Sequence, residues 1–144
     1  MFVQATSKRQ LKRENERRPH PSVIRPPLLL ARADGSGVRD LGVAFGAAWS
    51  PDSERLAYAA VGPSCSVVAV YNLATAIQTE LTSGETCDDS PTWSPDGEWL
   101  AFLLGPARGP SQVVVMRSDG SSRHQVTHDN LPKSGISWSP APPK

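Results

Sequence analysis

Apolar residues along this chain fall in short runs, and none approaches the eighteen or so residues that a membrane-crossing helix needs. Trp99–Leu104 and Val113–Met116 are apolar throughout, the pattern of strands buried on both faces. Ile77–Leu81 and Arg123–Thr127 mix polar and apolar residues, which suits sheet edges, where charge discourages pairing with other chains. Between the runs lie Ser-Pro-Asp and Asp-Gly turn signals, so the pattern predicts an all-β chain of short antiparallel hairpins.

The pattern repeats. Ala48-Trp49-Ser50-Pro51-Asp52-Ser53-Glu54-Arg55-Leu56-Ala57-Tyr58 returns as Thr92-Trp93-Ser94-Pro95-Asp96-Gly97-Glu98-Trp99-Leu100-Ala101-Phe102, and a third copy begins at Ser137-Trp138-Ser139-Pro140. The tryptophans lie 44 and 45 residues apart, the length of a four-stranded propeller blade. A second element, Leu28–Gly35, matches Val113–Gly120, with Val67–Ala74 as a degenerate middle copy. Each unit therefore holds two hairpins. The first turns where Pro51 or Pro95 presets φ and Gly97 can adopt φ > 0; the second turns at Asp34-Gly35 or Asp119-Gly120.

Labelling the strands A to D outward from the propeller axis, we expect C-D at 28–41, full blades at 47–82 and 91–127, and a lone A strand at 136–139. The fold class is thus a partial β-propeller of about two and a half four-stranded blades, too few to close a ring of the typical 4–8. Residues 28–144 are the propeller repeats. Residues 1–27 carry seven Lys/Arg against two acids, while the rest carries eight against twelve, so the first segment reads as a basic, disordered tail. Its charge alone would suit nucleic acid, but no stacking aromatics accompany Ser7–Arg18, and no nucleic-acid partner is expected.

On these motifs the sequence resembles the TolB-like, WD-repeat-like propeller family, specifically at Trp93–Phe102 and Val113–Gly120. The resemblance implies a six-bladed, non-catalytic protein of the bacterial envelope or periplasm that binds protein partners, of which this chain would be a fragment. As written the sequence shows no export signal, and read as complete it would be cytoplasmic. A similar repeat occurs in propellers that gate prolyl-oligopeptidase-like serine peptidases, whose catalytic triad lies in a separate hydrolase domain. This sequence contains no Gly-x-Ser-x-Gly elbow.

The repeat also explains the eye-catching residues. Trp49, Trp93 and Trp138 read as packing between blades, and Asp52 and Asp96, with Pro51, Pro95 and Pro140, as turn residues rather than paired catalytic acids. His124 and His128 would stand about 13 Å apart on a strand, too far for one metal ion. Asp88, Asp89 and Asp129 read as solvated loop acids. No catalytic residue, cofactor or metal is expected. Cys65, between strands B and C, and Cys87, between D and the next A, fall on one loop face, where either a disulfide or two free thiols fits. If formed, the disulfide would add roughly 3 kcal/mol on the chain-entropy model. The same face carries Gly105–Ser111 with Arg108, and His128–Gly135 with Lys133. It is the candidate surface for a protein partner; the unpaired blade ends are candidates for self-association.

Overall fold

A computed structural model describes residues 2–6, 26–105 and 109–140. Ten strands follow one another along the chain: β1 (Phe2–Thr6), β2 (Pro27–Arg32), β3 (Arg39–Trp49), β4 (Arg55–Val61), β5 (Ser66–Asn72), β6 (Ile77–Glu80), β7 (Cys87–Trp93), β8 (Trp99–Gly105), β9 (Gln112–Arg117) and β10 (His124–Gln125). Every strand pair with a defined register is antiparallel, and no helix occurs among the described residues. The expected all-β class holds. The chain divides into two compact units, Met1–Phe45 and Gly46–Lys144.

In the first unit β2 lies between β1 and β3, with Gln4 opposite Leu30 and Asp40 opposite Leu29. The C-D hairpin expected at 28–41 is present as β2 and the start of β3. Residues 1–27 are not uniformly a tail, however, because Phe2–Thr6 pairs along the far edge of β2. Its Phe-Val-Gln-Ala-Thr sequence has strand propensity, and an unpaired strand edge offers a ladder of donors and acceptors to receive it. The basic stretch Ser7–Arg18 lies outside the described residues.

The second unit holds both full blades. Blade one is β3 from Gly46 onward, then β4, β5 and β6 in spatial order; blade two is β7, β8, β9 and β10. Its core cluster joins the two: Ala57, Val68 and Val70 of blade one pack with Trp93, Leu100, Phe102, Val114 and Met116 of blade two. Two expectations need correction here. Residues 136–139 do not form an A strand, and among the described residues no strand pairs with them. Val113–Met116 is not buried on both faces: Val114 and Met116 face blade one and are buried, while Val113 and Val115 face away and remain half-buried. The outer edge strand β10 is also shorter than the expected Arg123–Thr127.

The hairpin turns share a set of bonds, to which the first adds a contact from the Ser50 hydroxyl to Arg55 O at 3.0 Å and an Arg55–Asp52 ion pair at 3.4 Å. In blade one the Ser50 hydroxyl donates to Asp52 Oδ1 at 2.5 Å and accepts from the Arg55 amide at 2.9 Å; Ser94 does the same with Asp96 and Trp99, at the same two distances. The carboxylates also accept from the amides of Glu54 and Glu98, both at 3.0 Å. Each turn needs φ > 0 at its fourth residue: Gly97 supplies 72° without strain, whereas Ser53 holds 60°. At the second hairpin the Gly120 amide donates to Arg117 O at 2.8 Å and Asp119 Oδ1 accepts from the Ser121 amide at 2.9 Å.

Candidate partner surface on the loop face

In the second unit the antiparallel order places the turns at Ser50–Glu54, Ser94–Glu98 and Ser118–Ser121 at one end of the strands. The β4–β5 loop, the β6–β7 loop, the β8–β9 loop and the segment after β10 lie at the other. That loop face is tied together covalently and by hydrogen bonds. Cys65 and Cys87 form a disulfide with a Cα–Cα distance of 4.7 Å. Gln112 Nε2, at the start of β9, donates to Asp129 O at 2.8 Å, linking two further loops. Thr82 and Thr127 play matching parts, each hydroxyl accepting from a β-strand amide, Val68 at 3.0 Å and Val113 at 2.9 Å.

The predicted residues are distributed as follows. Trp93 is buried in the core with the Arg55 guanidinium 4.5 Å above its ring, whereas Trp49 and Trp138 are half-buried. Asp52, Asp96 and Asp119 lie at the turn end, and the hydroxyls of Ser50, Ser94 and Ser121 respectively hold their carboxyls below the ordinary range. Pro51, Pro95 and Pro140 are exposed. His124 sits edge-on to Trp99, and exposed His128 lies beyond β10. Among the described residues no group of three or more His, Cys, Asp or Glu is placed to hold a metal ion. Arg108 lies outside the described residues.

On the loop face Leu131 is 68% exposed and Val61 42% exposed. Lys133 pairs with Asp129, whose carboxyl it holds below the ordinary range. The surface therefore presents apolar side chains among polar ones on loops fastened to a rigid scaffold.

Asp88 departs from the sequence reading. It is not a solvated loop acid: it lies in β7 and has no exposed surface. Its Oδ1 accepts from the Thr86 hydroxyl at 2.7 Å, Oδ2 has no hydrogen-bond partner, and Arg123 Nη2 stands 3.6 Å away. Burial pushes its pKa up, against the opposing pull of the Thr86 and Thr82 hydroxyls and the Arg123 charge. The Trp-Ser-Pro turn marks only the end of this strand: β7 begins at Cys87 rather than at residue 91, so Cys87 and the half-buried Asp89 also lie in the strand and not in the loop before it, and nothing local in the sequence marks Asp88 as enclosed.

No family model matches the chain. It is 29% identical over 97 residues to the Tol-Pal system protein TolB of Francisella tularensis, a match covering 64% of this chain and 22% of that protein. It is also 29% identical over 98 residues to the uncharacterized peptidase YuxL of Bacillus subtilis, covering 64% and 15%. Among solved structures, the putative TolB from Agrobacterium tumefaciens matches 75% of this chain and 40% of that one, at 26% identity and a TM-score of 0.63. The β-propeller domain of the Trilobed protease from Pyrococcus furiosus matches 76% and 36%, at 16% identity and a TM-score of 0.57. The fold is a partial β-propeller. Its sequence is similar to TolB, and it spans about a quarter or less of the curated relatives it matches.

Proposed function

We propose that this chain is part of a larger TolB-like protein of the cell envelope and acts as a non-catalytic binding module, engaging a protein partner through the loop face. The observation that carries the reading is the fastening of the loops, by the Cys65–Cys87 disulfide and the Gln112–Asp129 hydrogen bond, into one preorganised surface holding exposed Leu131. Similarity to the Tol-Pal system protein TolB points to another component of that system as the partner. Surface plasmon resonance with the full chain and the Pal component of the same organism tests this. Binding should weaken about tenfold or more in Leu131→Asp, on the loop face, and persist in Asp52→Lys, at the opposite end. Equal binding by both variants, or none by the parent chain, overturns the reading.

Similarity to the peptidase YuxL favours a second reading, in which the blades gate a serine peptidase whose hydrolase domain lies elsewhere. A hydrolase domain with a Gly-x-Ser-x-Gly elbow encoded alongside these repeats, and peptide hydrolysis by the pair, would decide for it. In either setting the half-covered outer face of β9 supports self-association through the blade ends. Light scattering on the eluting chain would show a dimer, and a folded monomer would rule this out.

A further inference from the structure

Three features meet at the first residues of β7. Cys87 opens the strand and is bonded to Cys65 of the preceding blade, a link across 22 residues of sequence. The backbone around the bond is closely packed: a Cβ on Gly62 would come within 2.7 Å of Cys65 O, and one on Gly105 within 2.6 Å of Cys87 O. The next residue, Asp88, is fully enclosed: Oδ1 accepts from the Thr86 hydroxyl, while Oδ2 has no hydrogen bond and only the half-exposed Arg123 guanidinium at 3.6 Å, so burial costs this carboxylate more hydration than those partners return and opposes closure.

The third feature is a break in the ladder. Cys87, Asp88 and Asp89 pair with Gly105, Leu104 and Leu103, and the register then shifts before Thr92 and Trp93 pair with Ala101 and Leu100. At the break Ser90 holds φ 52°, and Pro91 has no amide to donate. The segment Cys87–Asp89 is therefore a short ladder of its own, while Trp93, beyond the break, belongs to the core.

We propose that the Cys65–Cys87 disulfide is a redox latch: it holds the Cys87–Asp89 ladder shut, and its reduction lets that segment open about Ser90–Pro91, carrying Asp88 into water and leaving the core between the blades in place. The reductant is a dithiol. One of its thiolates attacks a cysteine Sγ and forms a mixed disulfide, and the other cysteine leaves as a thiolate that takes up a proton. The second thiol of the reductant then attacks the mixed disulfide and releases the remaining cysteine. Two electrons pass from the dithiol to the protein, and the reductant ends as its own disulfide. The latch is a property of the fold and stands whether or not the loop face binds a partner.

Residue-resolved amide exchange by NMR, on the full chain with and without excess dithiothreitol, tests the latch. Reduction should speed exchange in Cys87–Asp89 and Leu103–Gly105 by about tenfold or more while Val68–Val70 and Leu100 keep their protection, because local opening exposes only the amides it releases. Cys65→Ser should show the same pattern without reductant. Asp88→Asn, measured reduced, should slow exchange in Leu103–Gly105 back toward the oxidised rate. Unchanged exchange on reduction, loss of protection throughout both blades, or two alkylatable thiols in the oxidised chain would each overturn the proposal. An Asp88→Asn chain that exchanges as fast as the reduced parent would overturn the part assigned to the carboxylate.

Discussion

Blade one and blade two share their turns and differ in their strands. The Ser50 and Ser94 hydroxyls bond the equivalent aspartate and strand amide, yet β5 is buried from Ser66 through Tyr71 while β9 alternates between buried and half-buried. A turn is decided by residues within six positions of one another, and the repeat preserves those. Burial of a strand is decided by what lies against each face, and the face bearing Val113 and Val115 is only partly covered by the described residues. The blades also finish their equivalent aromatic differently. Tyr58 donates from its hydroxyl to Gln78 Oε1 at 2.7 Å, and burial pushes its pKa up to about 12; Phe102 instead lies under the Arg123 guanidinium, 5.2 Å from the ring centre.

The largest test of this contrast is Phe102→Ala, which should destabilise the second unit by about 3–5 kcal/mol in chemical denaturation, since it empties the core between the blades. The control Tyr58→Phe, which loses one hydrogen bond to the exposed Gln78, should cost about 1 kcal/mol. Trp93→Ala should likewise cost about 3–5 kcal/mol, and Trp138→Ala, at a half-buried indole, well under half of that. An equal loss at the two tryptophans would mean that the third copy is as well covered as the second. Smaller again, Val68→Ala in β5 should cost roughly 2 kcal/mol and Val115→Ala in β9 less than about 1 kcal/mol. Ser50→Ala and Ser94→Ala should each cost about 1 kcal/mol, because each hydroxyl bonds the equivalent aspartate and the equivalent strand amide.

The finest test is pH. Asp88 titrates above its unfolded value, so the folded chain binds this proton more readily and Asp88 lowers stability as pH rises through that range. Asp52 titrates below its unfolded value and acts in the opposite sense, its contribution being lost as pH falls through the acid range. Melting temperatures of Asp88→Asn and the parent should therefore diverge on going from pH 4 to pH 7, with the variant gaining; parallel curves would show that Asp88 is adequately paired by Arg123.

What could be read from the sequence follows the same division. Blade spacing, both turn types and the placement of Cys65 and Cys87 on one face were legible, because each rests on local turn chemistry or on period. The pairing of Phe2–Thr6 with β2 was not, since the partner strand lies some 25 residues on, and the basic stretch between them reads as tail. Nor was the enclosure of Asp88, whose neighbours Thr82, Thr86 and Arg123 come together only once both blades have formed. The alternation of β9 escaped for a related reason: composition shows that Val113–Met116 can be buried, while coverage on each side is a property of the assembled sheets.

The indoles of Trp93 and Trp138 donate to Ala48 O at 3.1 Å and Thr92 O at 3.2 Å, each reaching the residue just before the preceding tryptophan. The acceptor is backbone both times, and the side chain there is alanine in one copy and threonine in the other. A gene that duplicates or deletes one such unit therefore needs no matching substitution at this contact, since the incoming copy brings its own donor and finds an acceptor that mutation cannot remove. This one contact is indifferent to sequence on its receiving side, and it leaves the matching of neighbouring blades to the apolar side chains of the core between them.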